Sequence, residues 1–304
     1  MPVIVEDLLK KQIIVVKEIK AKFFKKVFKK DFKKYSNLIK GKEMIRIVFL
    51  GATQFSKQLF QFLRTITNVK IEAVFSIPKT FHISYSKKPV ENCNYANMAR
   101  LASELEIPNY IINNGKGNNL SDYTGEIEKI APDVILVLGW YYKIPTNILN
   151  IPKYGTWGIH NSYLPRYAGG APLVWAIING EEETGVTLFR MNKKMDAGDI
   201  IKQKRISIKF EDTIKEVYQK ATEQSKILLK EVFENFKQIK FTPQDQSKLE
   251  YFPQRSPEDG EIDKTKTAEE IYNFIRAQTN PYPGAFIRTI DGKKIVIEKA
   301  RIED

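Results

Sequence analysis

Histidine is scarce in this 304-residue chain: two occur, and one, His160, ends an apolar run in GIHNSYLPRYAGGAPLVWAIINGE, residues 158–181. An imidazole at the mouth of a sheet suits two jobs. It can be a structural ring satisfied by hydrogen bonds, or an acid or electrostatic stabiliser that meets a ligand. Further along, Asp196 stands in MDAGDII, residues 195–201, before a small Ala-Gly pair. An aspartate there either caps a turn or accepts a hydrogen bond from an imidazole, which orients the ring and raises its basicity. The stretch GWYYKIP, residues 139–145, follows the strand-like ILVL. Its aromatics serve as core anchors, or its backbone reads a flat heteroaromatic ligand. FLGATQF, residues 49–55, is a strand–glycine–helix junction. It is either an ordinary tight turn or an anion contact at a helix N-terminus, and it lacks the later glycines of a dinucleotide fingerprint.

Other chemistries lack their residues. Two histidines and a single cysteine, Cys93, far apart in sequence give no common zinc spacing. There is no phosphate-cradling Gly-rich Lys-Ser/Thr loop and no G-x-S-x-G nucleophile turn. No metal site is expected.

The elements that must position these groups alternate. IRIVFLG reads as a strand, TQFSKQLFQFLRTI as a helix, KIEAVFS as a strand and ANMARLASELEI as a helix. NYII, a glycine- and asparagine-rich loop, a helix near 122–130, then DVILVLGW and GTWGIH complete the series. Near-continuous apolar strands separated by helices predict an open, mostly parallel sheet covered on both faces. In such sheets ligands bind beyond the carboxyl ends of the strands, where strand order reverses. TGVTLFRM and IIKQKRISI follow, then an amphipathic helix over about 212–238. FTPQDQSKLEYFPQRSPEDGEI is polar, proline-bearing and aperiodic, which predicts a linker. A helix over 267–279 and a hairpin turning at Asp291-Gly292 end the chain.

The net charge of +13 is unevenly spread: residues 1–43 hold 13 lysines and five acids, so +8 sits there and +5 on the other 261 residues. A nucleic-acid footprint needs a basic face on the folded body, which that remainder does not supply. Residues 1–43 space their apolar side chains helically between lysines, predicting a basic amphipathic helix. It packs on the body or on a second copy in a homodimer, lies on an anionic membrane surface, or stays a poorly ordered appendage. A lone cysteine fits a reducing cytoplasm, no apolar run approaches the ~18 residues that span a bilayer, and the first residues lack a secretory pattern. A cytoplasmic protein is expected.

As an ordered set, HNSYLPRYAGGAPLVWAIINGEEETGVTLFRMNKKMDAGDII resembles the signature of the folate-dependent formyltransferase family. The likeness runs from Met44 to about Ile239, and RSPEDGEIDKTKTAEEIYNFIRAQTNPYPGAF is similar to the family's C-terminal region. It implies an α/β, Rossmann-like formyltransferase domain over 44–240 and a small C-terminal α+β, truncated OB-like region over 241–304, with 1–43 as an extension. It also implies N10-formyltetrahydrofolate as formyl donor, attacked directly by an acceptor amine. The tetrahedral oxyanion would be stabilised by the His160 imidazolium, with Asp196 orienting the ring and assisting proton removal. The pterin would lie against backbone around Tyr141, Tyr142 and Ile144, with Leu164 and the Asp196 loop beside it. One departure is serious. The family carries an asparagine two residues before the histidine, and here that residue is Gly158. Neighbouring strand residues face opposite ways, so Asn161 replaces the amide only if the chain has already left the strand; Thr156 and an ordered water are the other candidates. A lesser departure is Ala168, where many relatives have arginine.

The short C-terminal region and the loop SIPKTFHISYSKKPVENCNY, without a long glycine- and basic-rich insertion, are similar to the sugar-modifying branch. The expected acceptor is therefore a nucleotide-linked amino sugar. Methionyl-tRNA is the alternative, and a non-catalytic folate- or nucleotide-sugar-binding relative is a third, because of Gly158.

Overall fold

The computed structural model describes residues 43–83, 88–115 and 117–303. The basic amphipathic helix expected over 1–43 lies outside the described residues apart from Glu43. From Ile45 onward the chain alternates as its apolar pattern predicts. In order come β1 (Ile45–Leu50), α1 (Gln54–Leu63), β2 (Val69–Ser76), the short β3 (Thr80–Phe81) and β4 (Val90–Glu91), α2 (Met98–Ser103) and β5 (Asn109–Ile111). Then follow α3 (Thr124–Ile130), β6 (Val134–Val137), α4 (Thr146–Leu149), β7 (Thr156–His160), β8 (Ala168–Gly169), α5 (Pro172–Ile178), β9 (Glu183–Arg190) and β10 (Ile200–Ser207). The remainder is α6 (Ile214–Glu234), β11 (Tyr251–Phe252), α7 (Ala268–Arg276), β12 (Ala285–Arg288) and β13 (Lys294–Ile297).

The main sheet has the order β10-β9-β7-β6-β1-β2-β5. The pairs among β7, β6, β1, β2 and β5 are parallel, whereas β9 and β10 run antiparallel at one edge. Strand order reverses between β1 and β6, which places the expected ligand edge at the carboxyl ends of those strands, with β7 next to β6. Both faces of the sheet are covered, and β1 shows why its run is unbroken. Ile45, Ile47 and Phe49 enter one core with α1 and α6, while Val48 and Leu50 enter the other with Ile127 of α3. With a side-chain period of two, a strand buried on both faces has no polar positions to spare.

Helix starts carry their own signals. Thr53 caps α1, and Thr213 with Glu216 forms a capping box at α6. The α6 residues Ile214, Val217, Ala221, Leu228, Val232 and Phe233 are buried on one stripe. Two helices have no counterpart in the sequence reading, α4 and α5. The first is a single turn; the second, PLVWAII, is apolar all round and short, so its spacing is indistinguishable from a buried strand.

The stretch after α6, expected to be a linker, is ordered against the body. Thr242 forms a two-way backbone bridge with Ile200, and Tyr251 and Phe252 pair in parallel with Ala168 and Gly169. The sequence shows no strand there because each contact is one or two residues long. Beyond it lie α7 and the β12–β13 hairpin, as expected.

Candidate functional site

His160 is the last residue of β7, at the carboxyl edge of the parallel strands. The turn that follows is braced by the edge strands. Thr187 on β9 accepts from the Leu164 N–H (3.1 Å) and donates to the Ser162 carbonyl (2.7 Å), and Gln203 on β10 donates to Leu164 O and Thr187 Oγ1. The antiparallel pair thus anchors the loop that starts at the histidine.

The imidazole is held from two sides. Nε2 lies 2.7 Å from the Tyr167 carbonyl. A carbonyl only accepts, so Nε2 carries the hydrogen, a tautomer assigned from its partner. Nδ1 lies 3.6 Å from Asp196 Oδ2, an ionic contact longer than a hydrogen bond, and both side chains are largely buried. The same carboxylate oxygen accepts from the Gly169 N–H at 2.9 Å. Nδ1 is therefore the nitrogen left to exchange a proton, with an anion beside it.

Both holders stand in left-handed backbone: Tyr167 has φ +55° and Asp196 φ +49°. For residues with a Cβ this costs roughly 1–3 kcal/mol each and persists only when the surroundings enforce it. Tyr167 is enforced by its ring, stacked on Phe252 at 4.6 Å, and by its hydroxyl, which donates to Glu181 (2.8 Å) and accepts from Asn179 (3.1 Å). Sequence reading missed Tyr167, because no residue type announces that its carbonyl will turn inward.

Burial, with Glu181 adding to it, pushes the Tyr167 phenol up to about 12. Burial also raises Tyr218 and Tyr282, whose hydroxyls share a 2.6 Å bond. A phenol raised above its ordinary 10.0 contributes stability that is complete below pH 10 and is lost as pH climbs through the folded value. The thermal midpoint is expected to fall above pH 10, and less steeply in Tyr167→Phe; a scan of melting against alkaline pH checks it.

The other expected site residues fall as follows. Tyr141 packs on Phe81 and donates to Asn92 Oδ1 at 3.0 Å. Tyr142 and Ile144 are buried in the core on the α3 side of the sheet, and Leu164 is buried against Ala168 and Phe189. Asn161 is the first residue past β7, so the alternation that would turn it away no longer binds it. Its Oδ1 is buried without a hydrogen-bond partner. Thr156 already donates to the Leu149 carbonyl (3.2 Å), which removes it as a substitute amide.

The place of the absent asparagine is filled. A Cβ at Gly158 would lie 3.3 Å from the Phe189 ring and 3.4 Å from Met191 Sδ. An apolar pair occupies the room a side-chain amide would use. Gly158→Asn is expected to cost about 1–3 kcal/mol, because Met191 and the Phe189 ring must yield to it; denaturant unfolding measures this.

A cavity of about 270 Å³ opens beside the Asp196 loop, lined by Thr146, Leu149, Asn150, Met191, Asn192 and Asp199 among others. Ligand pockets begin near 300 Å³, so it suits a flat ring system rather than a whole extended ligand. On the 139–145 loop, whose residues do not line this cavity, Trp140 Nε1 and Tyr142 Oη are buried and unpaired. The cavity's lining also includes Arg190 and Lys193, so apolar Leu149 and Met191, the amides of Asn150 and Asn192, two cations and Asp199 together suit a polar heteroaromatic head that both accepts and donates. The lining begins at Thr146, a few residues past the aromatic stretch that drew attention in the sequence.

The strand–glycine–helix junction holds no free anion cradle. Ala52 N bonds the Gly139 carbonyl and Ser56 Oγ, Thr53 N bonds Ser56 Oγ, Gln54 N bonds the Asn94 carbonyl and Ser56 N bonds Thr53 Oγ1. It is a tight turn. Among the described residues no three His, Cys, Asp or Glu side chains gather as metal ligands, and no helix is long and apolar enough to cross a membrane.

Known proteins share this architecture. Residues 45–233 match the family model described as Formyl transferase, and 255–304 match Formyl transferase, C-terminal domain. The bifunctional polymyxin resistance protein ArnA of Wigglesworthia glossinidia brevipalpis is 36% identical over 260 residues, 84% of this chain; the chain spans only 36% of that relative's length. A 4-N formyltransferase from Francisella tularensis superposes with a TM-score of 0.65 at 18% identity, over 86% of this chain and 100% of that one. An N-formyltransferase from Helicobacter canadensis, in complex with folinic acid and dTDP-3-aminofucose, superposes at 0.56 and 22% identity, over 77% and 80%. With both family domains matched in order along one chain, and the His-Asp pair at the carboxyl edge of its sheet, the protein belongs to the formyl transferase family.

Proposed function

We propose that this protein transfers a formyl group from N10-formyltetrahydrofolate to the amine of a nucleotide-linked amino sugar. The observation that carries the reading is His160, fixed between the Tyr167 carbonyl and the Asp196 carboxylate at the carboxyl edge of β7. The donor half is supported by the cavity beside the Asp196 loop, lined there by Gly198 and Asp199. The acceptor half is supported by the Helicobacter canadensis neighbour named above, whose structure holds dTDP-3-aminofucose. When bound, the folate supplies the formyl group, and Leu149, Asn150, Met191 and Asn192 would hold its head.

The chain's own groups then have defined work. Tyr167 keeps a proton on Nε2, so the ring presents Nδ1 for proton exchange. Asp196 stabilises the imidazolium once that proton arrives. A positive ring in a largely dry site counters negative charge that develops on a reacting carbonyl. Asn161, the first residue beyond the strand, carries in its Nδ2 an amide donor to replace the one absent at Gly158; its buried, unpaired Oδ1 only accepts and takes no part in that role.

A second reading rests on the Phe189–Met191 filling at Gly158: a protein that holds folate and acceptor without turnover. One experiment separates the two. Purified protein is incubated with N10-formyltetrahydrofolate and a panel of nucleotide-linked 3- and 4-amino sugars, following tetrahydrofolate release and a sugar gaining one formyl mass. Coupled release and gain support transfer. Binding of donor and sugar with neither product establishes the second reading, and formylation of methionyl-tRNA alone overturns the sugar assignment.

A further inference from the structure

Gln244 lies in the stretch that reads as a linker, 48 residues after Asp196. It is 7% exposed, and its amide nitrogen spends both hydrogens on one loop: 2.8 Å to the Asp196 carbonyl and 2.6 Å to the Gly198 carbonyl. Its neighbours grip the same turn. Gln246 donates to the Ala197 carbonyl (3.0 Å), and the Tyr251 hydroxyl donates to the Met195 carbonyl (2.9 Å). Four consecutive carbonyls, 195 to 198, are thereby held by side chains of residues 244–251.

The same segment holds the other partner of His160. Ala168 N bonds the Glu250 carbonyl (2.9 Å), Gly170 N bonds the Phe252 carbonyl (2.8 Å), and the Phe252 ring stacks on Tyr167. So one short strap reaches both left-handed residues that flank the imidazole. Neither Asp196 nor Tyr167 keeps that backbone without enforcement, and the Asp196 side is enforced chiefly by hydrogen bonds. A glutamine is the fitting residue there: it is neutral, long enough, and carries two N–H donors on one atom.

We propose that Gln244 is a positioning residue of the reaction, holding the Asp196 turn in its left-handed form so that the carboxylate stays aimed at His160 Nδ1. This rests on the formyl-transfer reading above. Gln244 touches no substrate; it acts through Asp196. Displacing a catalytic group by about 1 Å costs on the order of 10²-fold, and removing a supporting partner about 10- to 100-fold.

The test uses the full chain with Gln244→Leu and Gln244→Glu, both of similar reach and without the donors, and Tyr251→Phe at an exposed site as a third variant. Expected is a kcat about 10- to 100-fold lower in the Gln244 variants, a smaller fall in Tyr251→Phe, acceptor KM near wild type, and a melting temperature lowered in the Gln244 variants by the two carbonyls left without donors but near wild type in Tyr251→Phe. Amide hydrogen exchange read by mass spectrometry is expected to quicken in residues 195–199 while β1 and β6 stay protected. Unchanged kcat with unchanged exchange at 195–199 overturns the proposal. So does a kcat loss matched by general loosening of the sheet. If the Gln244 variants do not fold, Tyr251→Phe decides by the same two readings. Should wild type itself transfer no formyl group, the proposed function fails, while the exchange result still decides whether Gln244 holds the turn.

Discussion

His160→Ala is expected to lower kcat by about 10²- to 10⁴-fold, the range for loss of a positioned acid–base group, with little change in acceptor KM. The imidazole is the one side chain that meets both a fixed acceptor at Nε2 and an anion at Nδ1, so nothing nearby inherits its role. Some of the loss has a structural origin. Removing the ring strips the Tyr167 carbonyl of its donor, which costs about 1–3 kcal/mol if the oxygen stays dry. His160→Gln separates the two effects, because an amide can satisfy the carbonyl but cannot take up a proton. It is expected to recover stability and not rate. Steady-state kinetics and thermal melting on the same samples decide; a His160→Ala enzyme within about tenfold of wild type, against that range, would remove His160 from the chemistry.

Gly198→Ala is expected to be the most damaging glycine-to-alanine change among the described residues. Its Cβ would sit 1.7 Å from the Arg190 carbonyl oxygen, a backbone atom that cannot swing aside. The chain must shift at the point where β9 leaves for the Asp196 turn. Overpacking of this kind costs typically 1–3 kcal/mol and more where backbone is the obstacle. Activity falls further than stability, since the shifted turn carries Asp196. Gly292→Ala is the matched control: it has φ +78° with nothing within 4 Å of the new methyl, so it meets only the left-handed penalty of about 1 kcal/mol and leaves kcat alone. Equal losses from the two substitutions, in urea unfolding and in turnover, would show that the Arg190 carbonyl does not restrict position 198.

Much of this is legible in the amino-acid sequence alone. The β1 run IRIVFL, the capped amphipathic helices and the Asp-Gly hairpin are local patterns whose period matches their structure. His160 and Asp196 were legible as types placed at a sheet edge, and as a resemblance. What escaped was non-local. Tyr167 works through its backbone carbonyl, which every residue owns. Gln244 works through two hydrogen bonds to residues far away in sequence, from a stretch whose proline and polarity read as a spacer. Gly198 looked like half of a small-residue pair, and only the approach of Arg190 shows why it carries no side chain. The filling of the Gly158 space was equally hidden, because Met191 and Phe189 sit on another strand or just past it.

The strap also sets an order of assembly. Its contacts join residues that leave the ribosome far apart: Gly169 with Asp196 across 27 positions, and Asp196 with Gln244 across 48. Chain order alone places the strap after the main sheet: β10, the final strand of that sheet, ends at Ser207, so every one of its strands is synthesised before residue 244. A nascent chain arrested before residue 244 therefore holds His160 and Asp196 but none of the side chains that clamp the 195–198 turn.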